Sequence, residues 1–148
     1  MRMLNRCLVC LIAGSLALSG SACAPPDAEP PGLVDTHWRL VSYGEPGSES
    51  SVIQDTDVTL GFLDEDRAGG FGGCNTFGAQ YEVLDGTLQF QEIESTLILC
   101  IDEDVMDQEV EYFEALRTAG EFELSENELR IWYGDGQQVL NFVPDEPS

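Results

Sequence analysis

The sequence predicts an α+β fold dominated by β structure: an antiparallel meander forming a curved sheet or partly open barrel, with one packed helix. Three observations carry that prediction. Short alternating or β-rich runs bounded by turn residues recur along residues 36–143. Only residues 104–118 show helical periodicity. The stretch Gly69-Gly70-Phe71-Gly72-Gly73 leads into Cys74, and Cys100 answers it further along, outlining a small stapled β domain.

Taken in order, a strand is expected over 36–43, with Trp38, Leu40 and then Ser42 on one face by alternation. Residues 44–55 are polar and read as a loop. A strand over 58–63 follows, and the acidic turn Asp64-Glu65-Asp66 leads into a strand over 67–71. Strands over 77–83 and 87–90 flank Asp85-Gly86, a strong hairpin signal. Residues 93–99 are expected to form another strand. The helix over 104–118 would present Val105, Met106, Val110, Phe113 and Leu116 as its apolar stripe. Acidic residues in its first turn, Arg117 in its last and Gly120 beyond suit the helix dipole and a stop. Strands over 121–125, 128–133 and 138–143 finish the meander, with turns at Asn127 and Gly134-Asp135-Gly136. Plugging a curved sheet with the helix would bury the stripe and hide sheet edges. No internal repeat is present.

The termini divide the chain further. Arg2 and Arg6, the apolar run 7–18 and the small residues Gly20-Ser21-Ala22 before Cys23 resemble a bacterial lipoprotein signal, although Gly20 stands where leucine is usual. The apolar run is too short for a permanent span. Residues 1–22 are therefore assigned to a signal peptide, with Cys23 as the lipidated mature N-terminus; cleavage and secretion without lipid is the alternative. Residues 23–33 form a Pro-rich tether, which at about 3.1 Å per residue would hold the domain roughly 25–30 Å from its anchor. The folded domain is expected over 34–143 and a frayed tail over 144–148. Cys7 and Cys10 leave with the signal, so Cys74 and Cys100 remain as partners in an oxidising compartment. Two buried thiols would be the cytosolic alternative. A bond between them would stabilise by about 3.5 kcal/mol through loop closure.

Charge excludes whole classes of partner. The 148-residue chain has a net charge of −22 and no lysine. Beyond Cys23, four arginines oppose 28 acidic residues, giving −24. Nucleic acid needs a basic surface and is not an expected partner. Membrane contact should come through the lipid on Cys23, because anionic headgroups would repel the domain. The acidity suits solubility, a saline habitat or a basic protein partner in the envelope.

No residue pattern points to catalysis. His37, the only histidine, is expected on the strand face opposite Trp38, and no nucleophile or orienting acid accompanies it in sequence. Neither cysteine has a zinc ligand at finger spacing. Asp102-Glu103-Asp104 and Asp107 lack the glycine and distal glutamate of a calcium loop and sit where a helix N-terminus favours acid. Gly69–Gly73 is followed by no Lys-Ser/Thr, so it is read as a bulge or sharp bend passing close to the disulfide, with Asn75 capping it. Trp38, Phe62, Phe71, Phe77, Phe90 and Phe142 are assigned to the core. Trp132 and Tyr133, before the Gly134 turn, are assigned to an exposed aromatic contact. No cofactor and no metal site are expected.

These motifs together resemble the META domain, or HslJ-like, family of small bacterial envelope lipoproteins. The opening Thr-x-Trp-x-Leu is Thr36-His37-Trp38-Arg39-Leu40, and the hallmark Gly-Cys-Asn-x-aromatic is Gly73-Cys74-Asn75-Thr76-Phe77, with Tyr81 beyond it. Thr-x-x-x-Cys is present as Thr96 to Cys100, the helix contains the Glu-x-x-aromatic motif at Glu109 to Phe113, and Leu129-Arg130-Ile131 and Leu140-Asn141-Phe142 match the last strands. Ala79, Ile98 and Leu99 depart from a frequent glycine, a frequent methionine and a small residue. The resemblance implies a barrel-like antiparallel sheet with one helix, similar to secretion pilot lipoproteins, and no established catalysis. It also implies an envelope role; because Ala24 follows Cys23 where an aspartate would retain many lipoproteins on the inner membrane, the expected location is the outer membrane facing the periplasm in a two-membrane host and otherwise the outer face of the cell membrane. The expected function is a non-catalytic binding or stress-associated structural module. The alternative is a carrier of an acyl chain or other apolar ligand in a half-barrel.

Overall fold

A computed structural model describes residues 32–145. Its elements are β1 (Thr36–Gly44), β2 (Ser50–Ser51), β3 (Thr59–Phe62), β4 (Arg67–Phe71), β5 (Thr76–Leu84), β6 (Thr87–Ser95), α1 (Glu103–Arg117), β7 (Ala119–Leu124), β8 (Leu129–Tyr133) and β9 (Gln138–Pro144). The expected mostly-β fold with one helix is present. From β3 to β9 each strand pairs antiparallel with the next; β1 pairs with both β3 and β9, so eight strands close into a barrel. Closure is complete rather than partial because β1 and β9 run together from Trp38 opposite Pro144 to Gly44 opposite Val139. That ladder removes the two edges an open sheet would expose. The short β2 adds to β1 through Ser42 and Tyr43.

The registers sort the connections between the two ends of the barrel. The β3–β4, β5–β6 and β7–β8 turns lie at the end where the chain enters at Leu33. The β4–β5 turn, residues 96–102, α1 and the β8–β9 turn lie at the other. Helix α1 covers this second end: the Tyr112 hydroxyl donates to the Thr59 carbonyl at the start of β3, and Gln108 bonds Ile53 and Thr56 in the loop before it. Asp85 and Gly86 have φ of 52° and 79°, the left-handed pair that a tight hairpin requires, and Leu84 faces Thr87 across it.

Alternation fills the interior. Trp38 and Leu40 from β1, Leu60 and Phe62 from β3, Tyr81 from β5, Leu88 and Phe90 from β6, and Ile131 and Phe142 from β8 and β9 are buried in one cluster. The Phe62 and Tyr81 rings meet edge to face at 4.9 Å, and Phe77 packs the same way on Phe113 at 5.4 Å. Of the six aromatics assigned to the core, five are buried and Phe71 is half-buried. Leu33 and Pro144, just outside the expected boundaries, belong to the barrel: Leu33 is buried, and Pro144 faces Trp38. The signal peptide, Cys23, nearly all of the tether and the tail beyond Asp145 lie outside the described residues.

Three expectations need correction. Residues 93–99 are not a separate strand. Ile93–Ser95 complete β6 after a bulge at Glu92, whose φ is 49°, while 96–99 leave the sheet to cross toward α1. The buried face of α1 is not the simple apolar stripe. Val110 is exposed and Met106 half-buried, whereas Gln108, Glu109 and Tyr112 point inward with Val105, Phe113 and Leu116. Finally, Tyr133 is not an exposed contact, because alternation along β8 turns it inward with Leu129 and Ile131 and leaves only Trp132 half-exposed.

Candidate functional site

The glycine-rich bend lies against the helix so closely that side chains are excluded. A Cβ on Gly72 would stand 2.7 Å from Glu109 Oε2 and 2.9 Å from the Phe113 ring, and one on Gly70 would stand 2.2 Å from the Thr59 carbonyl oxygen. The expected bend is present, and its glycines serve close approach. Gly73 follows with a φ of 110°. This turns the next two backbone N–H groups, those of Cys74 and Asn75, toward the helix.

Glu109 receives them. Its Oε2 accepts from the Cys74 N–H at 3.0 Å and the Asn75 N–H at 2.6 Å, and its Oε1 accepts from the Asn75 side-chain amide at 2.7 Å. Glu109 and Asn75 are each only 4% exposed. A buried carboxylate with three donors is satisfied without a cationic partner, because the N–H groups themselves replace water. Asn75 does more than cap the bend. Its Oδ1 accepts from the Thr96 hydroxyl at 2.8 Å and the Ile98 N–H at 2.7 Å, and its amide also donates to the Ile98 carbonyl at 3.2 Å. The two donors and both acceptor positions of one side chain are thus used. Cys74 and Cys100 form the expected disulfide, with Cα atoms 6.1 Å apart.

These bonds latch residues 96–100 to the bend and the helix. The latched segment is apolar and faces outward. Leu97, Leu99 and Ile101 are 94%, 88% and fully exposed, and Ile98 is more than half exposed. Leaving such side chains in water forgoes roughly 1.5–3 kcal/mol each relative to burial. In a chain this acidic, four adjacent aliphatic residues held outward by a disulfide and a buried polar network form an unusual surface. Exposed Glu94, Asp102, Glu103 and Asp104 surround it in sequence.

The remaining assigned residues fall into place around this latch. Trp38, Phe77 and Tyr81 are core; the Trp38 indole donates to the Thr36 hydroxyl at 2.7 Å, and the Tyr81 hydroxyl donates to the Asp64 carbonyl at 2.7 Å. Trp132 lies on the outer wall with the Arg130 guanidinium 5.1 Å from its ring. His37 is exposed on β1 opposite Gly61. Asp102 caps α1 by accepting from the Asp104 N–H at 3.0 Å. Asp64 holds the β3–β4 turn through the Arg67 guanidinium and backbone, and the Arg67 contact keeps its carboxyl below the ordinary aspartate range. Among the described residues no cluster of His, Cys, Asp and Glu has the arrangement of a metal site. Glu109 had no role in the sequence reading beyond its motif.

A family model described as META domain matches residues 31–146. No curated protein matches the chain. Among solved structures, an NMR structure of a protein from Burkholderia xenovorans aligns at a TM-score of 0.66 and 23% identity, covering 84% of this chain and 99% of that one. A crystal structure of a duf4847 family protein from Bacteroides vulgatus aligns at a TM-score of 0.54 and 13% identity, covering 78% and 96%. At these identities the likeness is one of fold.

Proposed function

Because this chain belongs to the META domain family, we propose that it is a non-catalytic binding module of the cell envelope, anchored by lipid on Cys23, that docks a protein partner through residues 97–101. The observation behind this reading is the latched aliphatic surface of Leu97, Ile98, Leu99 and Ile101. A backbone held in place before binding loses little entropy on docking, which favours such a segment as an interface anchor. The acidic residues around them favour a partner whose apolar recess is rimmed by Lys and Arg. The chain enters the barrel at Leu33, at the end opposite residues 97–101. A lipid-anchored domain would therefore offer this surface away from its own bilayer. In a two-membrane host that placement is the periplasmic side of the outer membrane, and otherwise the outer face of the cell membrane. A stress-associated role draws only on the resemblance noted above. The carrier alternative gains no support from the barrel, whose interior is filled by side chains such as Leu60, Phe62 and Phe142.

A photo-cross-linking residue at Leu99 in intact cells should give a discrete adduct that disappears when Leu97→Ser and Ile101→Ser are added. The same probe at Leu84, exposed at the opposite end, should not give it. Identical adducts from both positions, or none from Leu99, would overturn the docking surface. The anchor is tested separately: Cys23→Ser should move the protein from the membrane fraction to the soluble fraction, and retention in the membrane would contradict lipidation.

A further inference from the structure

Helix α1 covers one end of the barrel, and the end where the chain enters is an open apolar mouth. Tyr81 and Val83 reach it from β5, Phe122 and Leu124 from β7, and Leu33 and Val34 from the entering chain, around a volume of roughly 420 Å³. Alternation explains this lining. Val83 continues the inward series Phe77, Ala79 and Tyr81, and Phe122 and Leu124 alternate with the exposed Glu121 and Glu123. Tyr81 is buried, yet Val83 is 45% and Val34 42% exposed. An interior-facing aliphatic residue thus still meets water. Barrel mouths of about 300–1,000 Å³ are a recurrent place for apolar ligands.

Two observations say what covers it. The first is the path of the chain. Gly32 stands on the lining, and Ala24 to Pro31 are all that separate it from Cys23. A proline-rich segment of that length spans roughly 25 Å, so a lipid on Cys23 cannot move further than that from the mouth. The second is charge. Glu65 lies on the lining, and burial, then Asp64, Asp66 and Glu65, raise the ionisation of Tyr81, so all three carboxylates are close by. Such a rim repels a free fatty acid or an anionic phospholipid. An acyl chain joined to Cys23 through an ester or amide is uncharged and meets no such barrier.

We propose that this mouth seats an acyl chain carried by Cys23 of the same molecule. The inference rests on the lipidation proposed above and gives the anchor a second position. A chain leaving the bilayer for the mouth exchanges one apolar surrounding for another, so the net gain is the covering of Val34, Val83, Phe122 and Leu124. Seating turns the entry end toward the membrane and residues 97–101 away from it, so the anchor itself orients the docking surface.

The test is labelling of the full chain in its host with a diazirine-bearing fatty acid. The purified lipoprotein is placed in unlabelled phosphatidylcholine nanodiscs, irradiated and cut at arginine. An intramolecular adduct is expected on residues 118–130, which hold Phe122 and Leu124. Val83→Asp, at an exposed position, should remove most of it, and Val110→Asp, exposed on α1, should leave it. A seated chain binds only the folded state, so the lipidated protein should have a higher Tm than Cys23→Ser, a difference that Val83→Asp abolishes. Adducts confined to nanodisc phospholipid, or equal Tm with and without lipid, would overturn the proposal. Equal labelling of residues 118–130 in Cys23→Ser by added diazirine fatty acid would overturn it in favour of a free-lipid site. Failure of the label to enter the protein would overturn lipidation itself, and the seat with it.

Discussion

Replacing Glu109 with alanine is expected to lower unfolding free energy by about 3–5 kcal/mol, the cost of leaving three buried neutral donors without their acceptor, partly relieved by water. The loss comes from the donors left behind more than from the bonds themselves. The N–H groups of Cys74 and Asn75 and one proton of the Asn75 amide all point at the missing carboxylate. Each unsatisfied buried donor costs about 1–3 kcal/mol, and only the cavity vacated by the side chain offers room for water to repair some of it. Glu109→Gln should recover only part of the loss. An amide can accept from one side, but its NH₂ would face either the backbone donors or the Asn75 NH₂. Urea unfolding measures both variants, and the midpoint should fall without a change in slope. A glutamine variant as stable as the native protein would show that the negative charge contributes nothing.

The second large effect is at the disulfide. Cys74→Ser and Cys100→Ser should each lower stability by about 3.5 kcal/mol, the loop-closure value for a separation of 26 residues. The double variant should be no worse than either single one, because both remove the same bond; additive losses would contradict a shared bridge. The disulfide and Glu109 should also be coupled. Cys74 offers its side chain to Cys100 and its N–H to Glu109, so losing one tether loosens the geometry of the other. Combining Cys100→Ser with Glu109→Ala should therefore cost less than the two measured separately.

Local chemistry made much of the barrel readable in the sequence. Asp85-Gly86 encodes its own hairpin because only a left-handed pair fits that turn, and Asp102 before an acidic first turn encodes the start of α1. Alternation put Trp38 and Leu40 on the interior face of β1. Closure was not readable, because the partners of β1 on β9 lie at the far end of the chain and no local signal specifies that pairing. The latch was half readable. Its cysteines announce themselves by count and compartment, and Asn75 by its place beside Cys74. Glu109 does not, because its partners are largely backbone N–H groups, identical at every residue until the glycines bend them into place. Hydropathy also misled on α1: Val110 reads as core and Glu109 as surface, and polar satisfaction reverses both. Tyr133 shows the converse, an aromatic whose position before a turn suggests exposure while strand alternation takes it inward.

Amide hydrogen exchange at Ile98 examines the latch most directly. Ile98 lies in a segment outside the sheet, with an exposed side chain, yet its N–H donates to Asn75 Oδ1 at 2.7 Å. Its amide should be protected in the native protein, together with those of Cys74 and Asn75, and should lose that protection in Glu109→Ala while Leu60 and Ile131 in the barrel keep theirs. Exchange of Ile98 at the rate of an unstructured loop in the native protein would mean that the aliphatic surface is not held in place.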